Sequence, residues 1–149
     1  KPDVIYTHSW EGGHEDHDTC NLIVRKIRKK FKIKECFQFS LYNAFKTSII
    51  FFRVFNPIKK KKLIKINILK EDRINFIKLL FNYKTQLKVW IGLYPFIIIH
   101  YLFKKYLLLE KLDENNVIKR PHLGELLYEK RSFCKFSDLK HQTEFLLSE

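Results

Sequence analysis

A chain of 149 residues is long enough for one domain with a substantial core and too short for two of ordinary size, and 46% hydrophobic with 15% aromatic residues excludes a mainly disordered or fibrous state. Three widely spaced cysteines, Cys20, Cys36 and Cys134, argue against a disulfide framework and for a reducing, cytoplasmic setting; no run reaches the roughly 18 apolar residues of a membrane span. The net charge of +13 invites a polyanion partner, but 23 of the 29 basic residues are Lys, in a sequence rich in Ile, Phe, Asn and Tyr. That is the bias of A/T-rich codons. The departure from this background is acidic: residues 1–21 hold Lys1 against Asp3, Glu11, Glu15, Asp16 and Asp18. The start, Lys1-Pro2-Asp3, has no apolar signal region, and the lack of Met reads as a piece of a longer product.

In chain order, Asp3 to Thr7 is a β-prone run whose apolar character suits a strand buried on both faces of a parallel sheet. Ser9-Trp10-Glu11-Gly12-Gly13 forms the loop after it, with half of the four glycines of the chain, so the backbone there turns sharply or packs closely. A helix starts near Asp16 to Asp18, capped by Asp, with Leu22, Ile23, Ile27 and Phe31 on one stripe. Lys34 to Tyr42 reads as the next strand, with Cys36, Phe37 and Phe39 as core positions. Strand, helix, strand makes a βαβ unit and predicts an α/β sheet with a right-handed crossover. Thr47 to Phe55 and Leu63 to Leu69 read as a hairpin or edge pair around Asn56-Pro57, with Lys59 to Lys62 at an exposed tip. A helix follows from Lys70 or Glu71 to about Lys88. Val89 to Phe103 is intensely apolar, and Pro95 is placed at the start of a second helix reaching Leu109. In the tail, Arg120-Pro121-His122 marks a loop and Leu126-Leu127-Tyr128 a brief strand or packed turn.

The chemistry concentrates in Glu11 to Asp18, where His14 and His17 stand three apart among carboxylates, after a strand and at the start of a helix. Ligands of open α/β sheets collect at the carboxyl ends of strands, and imidazole oriented by a carboxylate is a good zinc donor. The run Gly12-Gly13-His14-Glu15-Asp16-His17-Asp18, preceded by Pro2-Asp3-Val4-Ile5-Tyr6-Thr7-His8, resembles the second signature of the PIG-L/LmbE-like N-deacetylases. Its usual form is Gly-His-Pro-Asp-His, and Glu15 stands where proline is common. A shorter likeness to the family covers Arg120 to Glu129. Residues 45–116 carry none of its motifs.

The resemblance implies a Rossmann-like LmbE-type α/β sheet with flanking helices, incomplete at the N-terminus, over a single domain spanning 1–149. It implies a zinc-dependent amide hydrolase that removes acetyl from an N-acetylated amino sugar such as an N-acetylglucosaminyl group. By position, His17 would ligate Zn2+, His14 would stabilise the oxyanion and Asp16 would support the histidines. The first signature, His-Pro-Asp-Asp-Glu, which brings two more ligands and the general base, is absent. This makes the chain the C-terminal portion of such a deacetylase, inactive alone, with an unpaired sheet edge and exposed apolar surface. Trp10 is a candidate to stack on a sugar, and Arg120 with His122 to approach a polar substrate. His8 is read as a strand-end residue rather than a third imidazole of a metal set, Cys20 as a small buried helix residue and His100 as a core residue.

Two other readings compete. A basic membrane-surface protein without catalysis would place Val89 to Phe103 with Lys104 and Lys105 in the interface of an anionic membrane. A nucleic-acid binder would use Arg25 to Lys34 and Lys59 to Lys62, but no aromatic platform accompanies these runs, and no specific nucleic acid is expected.

Overall fold

The computed structural model describes residues 2–47, 51–58, 62–113 and 119–148. Strand β1 (Val4–His8) leads through the glycine loop into helix α1 (Glu15–Phe31), which returns as β2 (Glu35–Phe39), parallel to β1 with Tyr6 opposite Phe37. The expected βαβ unit is therefore present. Val24 and Ile27 of α1 and Ile5 of β1 close over Ile33, Cys36 and Leu112, a small core between helix and sheet. The helix ends where Lys32 turns left-handed (φ 49°) and its amide donates to the carbonyls of Arg28 and Lys29. Arg28, Lys29 and Lys30 in the last turn complement the helix dipole.

The rest of the chain runs through β3 (Tyr42–Asn43), β4 (Arg53–Val54), β5 (Leu63–Asn67), α2 (Lys70–Leu79), two 3₁₀ turns, α3 (Leu87–Phe103), β6 (Tyr106–Lys111), α4 (Leu127–Lys130) and α5 (Phe136–Ser148). The main sheet has the order β1-β2-β6-β5, with β6 antiparallel to both of its neighbours. The fold is thus mixed α/β, a four-stranded mixed sheet flanked by helices. A second core joins Tyr42, Ala44 and Val54 to Leu93, Ile97 and Tyr101 of α3 and to Leu127.

Several expectations are corrected. Strand β1 is not buried on both faces: it lies at the sheet edge, and Val4 and Tyr6 are 41% and 58% exposed, because α1 covers only the face that carries Ile5 and Cys36. On α1, Leu22 is buried and Ile27 packed, whereas Ile23, Phe31 and also Cys20 face solvent. Cys36 is fully buried, while Phe37 and Phe39 are half-buried.

The hairpin expected between 47–55 and 63–69 does not form: β4 pairs with β3 and β5 with β6. The physical reason lies at 56–58, where the Ile58 amide donates to the Glu11 carboxylate and Asn56 O accepts from Asn43, so the chain is tied to the glycine loop instead of reversing. Ser48–Ile50 of that expected strand and Lys59–Lys61 of the expected tip lie outside the described residues.

Pro95 does not start a helix; α3 begins at Leu87 and runs through it. Pro95 is on the exposed side, so the Ile91 carbonyl it leaves without a helical donor faces solvent, while Leu93 and Ile97 anchor the opposite side. The helix also stops at Phe103, and 106–111 pair as a strand. The expected helix to Lys88 gives way after Leu79 to 3₁₀ turns. Leu126, Leu127 and Tyr128 are all buried, as a packed segment, with 127–130 forming a short helix.

Candidate functional site

The loop between β1 and α1 is shaped by close backbone approach. Gly12 is left-handed (φ 68°), and a Cβ on Gly13 would fall 2.1 Å from the Tyr42 carbonyl oxygen, so both glycines are required where they stand. The Gly12 carbonyl accepts from the Leu127 amide at 2.8 Å, which fastens the loop to the buried 126–128 segment.

The helix cap is His14, not an aspartate. Its backbone is extended and its Nδ1 accepts from the Asp16 amide at 3.2 Å. In the neutral ring that bond places the proton on Nε2. Asp18, expected near the cap, turns back instead: its carboxylate accepts from the Glu11 amide (3.1 Å) and the Gly12 amide (3.1 Å to Oδ2). Burial drives this carboxyl up to about 8, against the two amides and with the help of Glu11 and Glu15.

Glu11 is the second buried carboxylate of the loop. Its Oε2 accepts from Ser40 Oγ (2.5 Å) and Asn43 Nδ2 (3.1 Å), and its Oε1 from the Ile58 amide (2.9 Å). Burial raises its pKa, and these donors with the nearby Arg53 hold it back. Asn21 of α1 donates to the His8 carbonyl at 2.5 Å and to Gln38 at 3.0 Å, so the end of β1 is fixed from beneath. Glu11 enters the sequence analysis as the start of the acidic segment without a role of its own, and Asn21 not at all. The available signal was a carboxylate directly before a glycine pair, a place where a backbone-packed loop leaves it little access to water.

Three imidazoles meet on this frame. The ring centroid of His17 lies 4.3 Å from that of His8 and 5.3 Å from that of His14, with Tyr42 edge-on at 5.3 Å. His17 is half-buried and is pushed down to about 3, first by burial and then by the charge it would feel from His8 and His14. Burial also lowers His8, whose Nδ1 is enclosed without a hydrogen-bond partner. Both rings are therefore neutral and retain a lone pair. His8 does sit at the strand end, as expected, and the structure also brings it onto His17. Asp16 keeps Oδ2 3.7 Å from His14 Nδ1, and Glu15 Oε2 is 3.4 Å from the same atom.

The remaining candidates are occupied by the tail. Trp10 Nε1 donates to the Lys119 carbonyl at 3.0 Å and its ring meets Phe136 edge-on. Arg120 pairs with both oxygens of Glu129, donates to the Gly124 carbonyl and lies over Phe136. Glu129 also accepts from the Leu126 and Phe136 amides, so this ion pair is a structural knot of the 120–136 segment. His122 lies against Phe45 at 4.8 Å with Nδ1 enclosed and unpartnered.

The donor set of the loop is partial. A neutral, half-buried His17 and the orphaned nitrogen of His8 suit a borderline cation, yet among the described residues no group of three or more His, Cys, Asp or Glu has the arrangement to hold a metal ion. Comparison of the chain with protein-family models, with curated proteins and with solved structures finds no match.

Proposed function

We propose that this chain supplies the histidine loop of a zinc-dependent N-deacetylase resembling the PIG-L/LmbE enzymes, with a Rossmann-like sheet continued by polypeptide outside this sequence, and acts on N-acetylated amino sugars such as N-acetylglucosaminyl compounds. The observation that carries the reading is the His17 ring. Burial keeps it neutral, and it lies with His8 and His14 near the carboxyl end of β1, its ring centroid 4.3 Å and 5.3 Å from theirs. The resemblance of Gly12 to Asp18 selects the reaction class; the geometry supports it.

In this reading His17 holds a zinc ion together with donors from a His-Pro-Asp-Asp-Glu segment that the chain lacks. Such an ion, when bound, acidifies water and polarises the acetamide carbonyl. The general base, like the other ligands, would come from that absent segment, and the residues present serve the oxyanion side of the site. His14, its Nδ1 engaged by the Asp16 amide, presents Nε2–H to the oxygen that becomes negative when water adds. Asp16, whose amide holds Nδ1, would support the histidines by fixing the orientation of the His14 ring. The free edge of β1 and the exposed Val4 and Tyr6 are where further strands would pair and cover the sheet.

The test joins this chain to an upstream segment bearing His-Pro-Asp-Asp-Glu and measures bound zinc and acetate release from an N-acetylglucosaminyl substrate. One zinc per chain and acetate release, both lost in His17→Ala, are expected. Retention of both in that variant overturns the assignment.

A further inference from the structure

Helix α3 is apolar on both of its sides, and only one is used inside the fold. Leu93, Ile97, His100 and Tyr101 are buried. Across the helix, Ile91, Pro95, Ile99 and Leu102 recur every three or four residues as an exposed stripe, with Ile91 75% and Leu102 63% exposed and Phe103 at its end 79% exposed. Beside the start of α3, Phe81 stacks edge-on with Tyr94 and is itself exposed, as is Tyr83. Single exposed apolar residues are ordinary, but a continuous stripe ending in aromatics is not.

Charge identifies the occupant. From residue 84 to residue 105 the chain carries Lys84, Lys88, Lys104 and Lys105 and no Asp or Glu, so lysines flank both ends of the stripe. Lys84, Lys88 and Lys105 are exposed. A second copy of the chain would bring these cations against their own kind, and a nucleic acid would leave the apolar stripe unmatched. An anionic bilayer surface matches both features, since its phosphates meet the lysines and its acyl boundary takes the stripe. Among the described residues no helix is long and apolar enough to cross a membrane, and with its other side packed in the core α3 is suited to lie along the surface.

We propose that α3, with the 80–84 turn, is an interfacial anchor that docks the protein on anionic phospholipid membranes through Ile91, Ile99, Leu102 and Phe103. The proposal does not depend on the deacetylase reading, because none of these residues belongs to the histidine loop. Asparagine or glutamine at the exposed positions leaves the buried side of α3 untouched.

The test is co-sedimentation of the full chain with vesicles of phosphatidylcholine alone and of phosphatidylcholine with about one-third phosphatidylserine, at low and at physiological salt. Binding to the anionic vesicles is expected, with partitioning to the neutral ones weaker by about tenfold or more. Ile91→Asn with Ile99→Asn, and separately Lys88→Gln with Lys105→Gln, should each weaken anionic binding by about tenfold while far-UV circular dichroism stays unchanged. Three results overturn the proposal. One is no binding at low salt. Another is binding that the apolar pair leaves intact, which means adsorption by net charge alone. The third is a dimer in sedimentation equilibrium that the apolar pair converts to monomer, which means that a second copy covers the stripe.

Discussion

Asp18 occupies the first turn of a helix and yet serves the loop before it. A carboxylate that merely favours the helix N-terminus contributes less than 1 kcal/mol, or about 1 kcal/mol as a cap, and any short polar side chain replaces it. Asp18 instead satisfies the amides of Glu11 and Gly12 in a buried place. Asp18→Ala should therefore cost about 3 kcal/mol, the penalty of leaving two enclosed donors unmatched, whereas Asp18→Asn, which keeps an acceptor of the same reach, should cost about 1 kcal/mol. Urea denaturation of the two variants checks this. Equal and small losses would return Asp18 to the role of a helix-end charge. Gly13 is the matching case for the backbone. Its absent Cβ leaves room for the Tyr42 carbonyl, so Gly13→Ala should lower stability by more than about 2 kcal/mol and displace the loop that carries His14. An unchanged melting temperature would mean that the β3 backbone yields easily.

At the scale of elements, the sequence is legible where local pattern and tertiary pairing agree. β1, α1 and β2 fall in this class: the β-branched opening, the glycine pair and the apolar spacing of Leu22 and Ile27 act within a few residues of one another. The closeness of His14 and His17 was legible for the same reason, since their spacing puts one at the cap and the other in the first turn of α1. His8 was harder, since only the strand's end point brings its ring onto His17. Legibility fails where a distant partner decides. Tyr106 to Lys111 is rich in Leu with Glu and Lys, a composition that suits a helix, but pairing with β5 on one side and β2 on the other makes it a strand. Likewise Ile58 is drawn to Glu11 across a long stretch of chain, which removes the hairpin. Pro95 inside α3 gives this class a measurable consequence. Because the position is exposed and the surrounding helix is already fixed by Leu93 and Ile97, Pro95→Ala should restore the bond to the Ile91 carbonyl and stabilise the protein by about 1–3 kcal/mol. A loss of stability would show that α3 relies on a kink at this point.

Across the whole molecule, burial keeps histidines neutral: His8, His17, His100 and His122 are all held below their ordinary range, chiefly by desolvation. Each binds a proton more readily in the unfolded chain than in the folded one, so the fold loses stability as the pH drops. His100 allows this to be separated from the histidine loop. It is 7% exposed, packed against Phe55 at 5.0 Å, and its Nε2 has no partner. Burial and then Lys104 push it down to about 4, against a bond with the Tyr106 backbone. For a depressed histidine the sign is fixed: its neutral form is favoured by folding, so its contribution is whole above about pH 6.5, falls as the pH drops toward 4, and is constant below that. The loss amounts to at most about 3 kcal/mol. In His100→Leu that slope disappears, and an enclosed nitrogen without a partner is removed as well. The stability of the variant relative to the native chain, measured by urea denaturation at a series of pH values, should thus rise by up to about 3 kcal/mol between pH 7 and 4, even though both proteins weaken in acid through the other histidines. Parallel curves would show that His100 accepts its proton within the fold without cost, which requires that water or an anion reach the α3 core.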